Sequence, residues 1–128
     1  MRSDGLILKI FGVMGLVAVS VHADAGVGKV DYVRDVKPLF EKRCGACHGA
    51  LKQKAGLRLD AGVLVMKGSE EGAVIKPGDV RGSLLITKVT ATDIEDRMPP
   101  EGEGEALTDE QVDLLRRWIT QGAVYPED

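Results

Sequence analysis

Residues 44–48 read Cys-Gly-Ala-Cys-His and hold the only two cysteines of the 128-residue chain. Two thiols three positions apart, followed at once by an imidazole, bring three reactive groups within about one helical turn. Whatever they hold must be enclosed by the fold around them. The rest of the chain makes that constraint sharper, because it is poor in bulky core residues. Past the first 25 positions its aromatics are only Tyr32, Phe40, Trp118 and Tyr125, while glycine is abundant, with 16 in the whole chain. A small domain of this kind gains from a staple such as a disulfide, a metal or a large apolar cofactor.

Compartment decides among these. The chain opens with Arg2 and Lys9 around a polar start, runs apolar over residues 10–21, and reaches small residues at Ala23 and Ala25. That order reads as a signal peptide over residues 1–25, with cleavage after Ala23 or Ala25. The apolar run is short for a membrane span, which needs about 20 residues; an uncleaved anchor is the alternative. The expectation is therefore an exported, periplasmic protein with one domain over residues 26–128.

Four chemistries use cysteines at this spacing. A structural zinc site wants four ligands, and removal of the leader takes away His22, the only histidine besides His48. An iron–sulfur cluster wants four thiolates. A redox dithiol belongs at a helix start after a strand, whereas these cysteines follow a predicted helix over residues 36–47, and no strand pattern precedes it. A plain disulfide across so short a loop stabilises little. Cys-x-x-Cys-His is the signature of covalent haem attachment. Thiols one turn apart can join the two vinyl groups of the porphyrin, and His48 then carries its imidazole toward the iron. The cofactor expected is one covalent haem c.

No second histidine remains for the other face of the iron. Met66 sits in the apolar run Val63-Leu64-Val65-Met66, where a core role is the simpler reading. Met98 sits in the polar stretch Arg97-Met98-Pro99-Pro100-Glu101, where packing gives it no reason and the prolines stiffen its backbone. His48 and Met98 are thus the expected axial ligands, an arrangement known to raise the reduction potential.

The predicted elements are all helical. Asp35 is expected to cap the helix over 36–47, with Pro38 tolerated in its first turn and Gly49 ending it. Residues 52–60 form a loop ending in the alternation Leu57, Arg58, Leu59, Asp60. A short helix over 61–66, capped by Asp60, stops at Gly68; a second, over 83–89, starts at Ser83; Pro77-Gly78-Asp79 turns between them. Residues 92–105 are loop. Thr108 and Gln111 make a capping box for the last helix, whose Val112, Leu115, Trp118 and Ile119 lie together, and Gly122 stops it.

The stretches "DYVRDVKPLFEKRCGACHG", "KQKAGLRLD", "KPGDVRGSLL", "RMPPEGE" and "LTDEQVDLLRRWITQGA" resemble, in this order, class I cytochromes c, and among them the planctomycete-type cytochrome c domain. The resemblance runs from about Val30 to Ala123. It implies an all-α cytochrome c-like bundle of short helices and long loops around one haem, with thioether bonds at Cys44 and Cys47 and iron held by His48 and Met98.

The function expected is single-electron carriage between redox partner proteins, with no catalytic residue and no small-molecule substrate. The alternatives are a haem enzyme or gas or redox sensor with an open distal site, and a Cys-x-x-Cys thiol–disulfide oxidoreductase. A monomer is expected, meeting a membrane only transiently through a partner or an uncleaved leader. Residues 26–67 carry nine Lys or Arg against four Asp or Glu, and residues 68–128 carry six against fourteen. Such asymmetry can orient a charged partner, although a solvated surface is the simpler reading for any charge run. No basic patch interleaved with aromatics points to nucleic acid. Trp118 is either at the haem edge or in the core, Arg58 pairs with a propionate or with Asp60, and Glu101, Glu103 and Glu105 are expected to be solvated.

Overall fold

The computed structural model describes residues 28–127 and, before them, Gly12, Gly15, Val17 and Ala18. The leader expected over residues 1–25, with His22, otherwise lies outside the described residues. A π-helical turn at Tyr32–Val36 runs into α1 (Lys37–Arg43), a 3-10 turn follows at Lys54–Gly56, and then come α2 (Gly62–Lys67), α3 (Leu84–Val89) and α4 (Asp109–Thr120). No strand forms among the described residues, only isolated bridges such as His48 with Gln53. The fold is small and helical, as the sequence predicts.

The first helical segment begins earlier than expected. Asp31, not Asp35, is its cap: the Asp31 carboxylate accepts from the Arg34 amide at 2.8 Å, and the Asp31 amide donates to Asp35 at 2.9 Å. A start at Asp31 places Pro38 inside the segment, where its ring would clash with the carbonyl four residues before. The wider π turn, closed by the Lys37 amide on the Tyr32 carbonyl, relieves this and leaves Pro38 at the start of α1. The α-helix also ends sooner, at Arg43. Residues 44–47 form turns, so the two cysteines lie beyond the helix and not within its last turn.

The π turn and α1 pack across α4. Trp118 is 1% exposed; its ring lies 5.6 Å from Tyr32 and 6.0 Å, edge-on, from Phe40. The indole N–H donates to the Val124 carbonyl at 2.9 Å, so burial of the ring leaves no donor unpaired. Val112, Leu115 and Ile119 complete the buried face of α4 at helical spacing. The capping box forms as predicted, with Thr108 accepting from the Gln111 amide at 3.2 Å and Gln111 accepting from the Thr108 amide at 3.0 Å. At the other end of α4, Gln121 holds Val30 and Gly28, which fixes the chain's entry into the π turn.

Two predicted caps are used otherwise. Asp60 pairs with Arg58 through two hydrogen bonds of 2.9 and 2.5 Å, and α2 starts at Gly62 behind Ala61, with no side-chain cap. Ser83 does precede α3, yet its buried hydroxyl accepts from the Lys76 amide at 3.0 Å and donates to the Asp79 carbonyl at 2.7 Å. It closes the Pro77-Gly78 turn instead of capping the helix. The Gly78 amide in turn donates to the Ile119 carbonyl at 2.8 Å, tying that turn to α4.

Candidate functional site

The turn after α1 is folded by its own backbone. The Cys47 amide donates to the Cys44 carbonyl at 3.2 Å and the His48 amide to the same carbonyl at 2.9 Å. His48 is then fixed from its other side, since its carbonyl accepts from the Leu59 amide at 2.8 Å. Gly49 follows closely over the turn: a Cβ there would stand 2.5 Å from the Gly45 carbonyl oxygen. This local geometry turns Cys44, Cys47 and His48 toward one cavity of about 360 Å³, within the size range of cofactor sites.

The cavity walls come from distant parts of the chain. The alternation at 57–60 sends Leu57 and Leu59 inward, while Arg58 and Asp60 pair with each other at half-buried positions. Leu84, Leu85, Lys88 and Val89 of α3 form the facing wall. The last part of that wall is Met98 with Pro99 and Pro100. The Met98 amide donates to the Lys88 carbonyl at 2.9 Å, so the loop over 92–105 hangs its methionine from the end of α3. Thus four residues singled out by type and spacing, Cys44, Cys47, His48 and Met98, line one space.

The cations at the site have acidic neighbours, Lys54 in Glu103 and Lys88 in Asp96, whereas the imidazole has none among the described residues. His48 makes no side-chain hydrogen bond among the described residues, and its Nδ1 is buried. A buried polar atom without a partner is rare in native proteins and points to a group bound there. The two thiols are not joined. Burial pushes the Cys44 thiol up to about 11, overriding the opposing pull of Arg43. A redox thiol needs the reverse, a lowered pKa that yields thiolate near neutrality. Among the described residues no cluster of three His, Cys, Asp or Glu side chains is arranged to hold a bare metal ion. Unjoined thiols, an uncommitted imidazole and apolar walls fit a large apolar cofactor carrying its own metal.

Other expectations divide. Trp118 belongs to the core and does not reach the cavity, and Arg58 pairs with Asp60. Met66 packs against the core and is not among the cavity residues. Glu103 and Glu105, read from sequence as solvated, do more. Glu103 lines the cavity, 3.6 Å from the Cys47 sulfur and 4.0 Å from the Lys54 ammonium, and Glu105 stands 3.6 Å from the Arg43 guanidinium. Part of the charge asymmetry between the two halves is therefore met within the chain, by pairs beside the cavity whose carboxylates are exposed. The sequence signal for this was present in the runs of opposite sign, but nothing in it said which charges meet.

Residues 44–102 match the family model described as Planctomycete cytochrome C. The match covers Cys44, Cys47, His48 and Met98 and agrees with the resemblance read from the sequence, over a shorter stretch. No curated protein and no solved structure matches the chain.

Proposed function

We propose, from the match of residues 44–102 to the family model described as Planctomycete cytochrome C, that this protein is an exported, monomeric, monohaem electron carrier whose cofactor is bound through Cys44 and Cys47 and ligated by His48 and Met98. The observation that carries the reading is the convergence of these four side chains on one apolar-walled cavity. A haem bound there supplies a one-electron couple.

The chain's own residues do the rest. Cys44 and Cys47 would anchor the cofactor covalently, so that it is not lost outside the cell. His48, whose imidazole makes no hydrogen bond among the described residues, is available to serve as a ligand. Met98, tethered to α3 through its amide, would serve as the second ligand and so leave the iron without a site for a substrate. Leu57, Leu59, Leu85 and Val89 exclude water and keep the charged state costly, which favours the reduced form. No proton donor or nucleophile is required. Partners are larger redox proteins that approach the cavity mouth, and the leader over residues 1–25 directs export.

Mass spectrometry of the chain purified from a haem-attaching periplasmic host tests this reading. The expected product lacks the leader, carries one covalent haem, and loses it when Cys44 and Cys47 are both changed to Ser. A chain without covalent pigment overturns it. Rapid carbon monoxide binding by the ferrous protein would overturn Met98 ligation in favour of an open distal site.

A further inference from the structure

Seven arginines fall among the described residues, and five have partners within the chain. Arg34 pairs with Asp35, Arg43 with Glu105, Arg58 with Asp60 and Arg117 with Asp113, while Arg97 donates to the Pro99 carbonyl. The remaining two, Arg81 and Arg116, make no side-chain hydrogen bond or ion pair among the described residues. Both line the same open groove of about 550 Å³. It lies on the face of α3 turned away from the central cavity, so one short helix separates the two spaces.

The nearest carboxylates along the chain are engaged elsewhere. Asp113 is three residues from Arg116 but pairs with Arg117 at 3.0 Å. Asp79, two residues from Arg81, accepts from the Gly82 amide at 2.8 Å. Among the described residues no Asp or Glu lines the groove, although residues 68–128 hold fourteen acids against six bases. Thr87 and Thr92 add hydroxyls that make no hydrogen bond among the described residues, and Val80 and Ile86 give the groove an apolar side.

We propose that this groove is a binding site for a small oxyanion, a phosphate- or carboxylate-bearing molecule held between the Arg81 and Arg116 guanidiniums. Guanidinium groups match such anions through paired, charge-assisted hydrogen bonds. Threonine hydroxyls donate to further oxygens, and an apolar portion of the ligand rests on Val80 and Ile86. The site is independent of what the central cavity holds.

The test is titration of the full chain, purified with its cofactor, with inorganic pyrophosphate and separately with succinate, followed by amide NMR shifts. The expected result is saturable shifts confined to residues 80–92 and the part of α4 around Arg116, absent with sodium chloride at equal ionic strength. Arg81→Gln and Arg116→Gln should each weaken binding about tenfold or more, as loss of a hydrogen bond to a charged group does. Arg117→Gln, outside the groove, should leave it unchanged. Tighter binding of pyrophosphate assigns a phosphate-bearing ligand, and tighter binding of succinate a carboxylate. Shifts that do not saturate, that chloride reproduces, or that survive in the Arg81→Gln, Arg116→Gln double variant overturn the proposal.

Discussion

Replacing Gly68 by alanine should be among the most damaging single changes outside the buried core. Gly68 ends α2 with φ 82° and ψ −158°, a conformation that is essentially glycine's alone. Holding an L-residue there costs about 1–3 kcal/mol. A Cβ would also run into the Gly72 carbonyl oxygen and stand 2.8 Å from the Ala73 Cα. That obstacle is backbone, and it cannot swing aside, because the Gly72 carbonyl is fixed by the Ser69 amide at 2.8 Å. Displacing it adds about 1–3 kcal/mol, as overpacking does. The combined loss, about 2–6 kcal/mol, is a large part of the about 5–15 kcal/mol that holds a typical domain. Gly72→Ala is the internal control, since Gly72 has φ 120° and nothing within 4 Å of its added Cβ; it should show strain without collision. Urea unfolding of the full chain, followed by far-ultraviolet circular dichroism, measures both. With m of about 1–3 kcal/mol/M, the midpoint of Gly68→Ala should fall below that of Gly72→Ala by about 1 M. Equal midpoints, or a Gly68→Ala protein as stable as the wild type, would refute the reasoning. The loop it shapes contributes Ser69 and Val74 to the cavity wall, so cofactor retention should fall with stability.

Thr108→Ala removes one half of the α4 capping box and should cost about 1 kcal/mol, read as a lower melting temperature; Thr108→Ser should restore most of it. Hydrogen bonds from Arg34 and from the Asp31 amide hold the Asp35 carboxyl down to about 2 from its ordinary 3.8. A depressed folded-state value stabilises the fold above the ordinary value and is lost as pH falls through it. Stability should therefore drop between about pH 4 and pH 2, and Asp35→Asn should flatten that limb, modestly because the pair is exposed. An unchanged acid limb in Asp35→Asn would show that the drop comes from other carboxyls.

Much of the candidate site was legible because the side chains that line the cavity stand close together in the sequence or out of keeping with their neighbours. Cys44, Cys47 and His48 are adjacent in sequence, and Met98 stands out as an apolar side chain in a polar, proline-bounded loop. The capping box of α4 was readable for the same reason, since both partners lie within four residues. What escaped was competition among equally plausible local partners. Asp60 has the chemistry of a cap and of a salt-bridge partner, and Arg58, two residues away, takes it. Ser83 stands where a cap should stand, but the turn at Lys76 and Asp79 reaches its hydroxyl first. The start of the first helical segment depended on whether a π turn would absorb Pro38, which no propensity decides. Glu103 beside Cys47, and the shared groove of Arg81 and Arg116, follow from how loops far apart in sequence are brought together.

The most direct test of the central claim is the absorption spectrum of the purified ferric protein, compared with Met98→Ala and recorded again after denaturation. The account predicts colour that survives denaturation, a methionine–iron charge-transfer band in the native wild type, and loss of that band alone in the variant. Covalent colour without the band would contradict the role given to Met98, and colour that washes out on denaturation would contradict the attachment at Cys44 and Cys47.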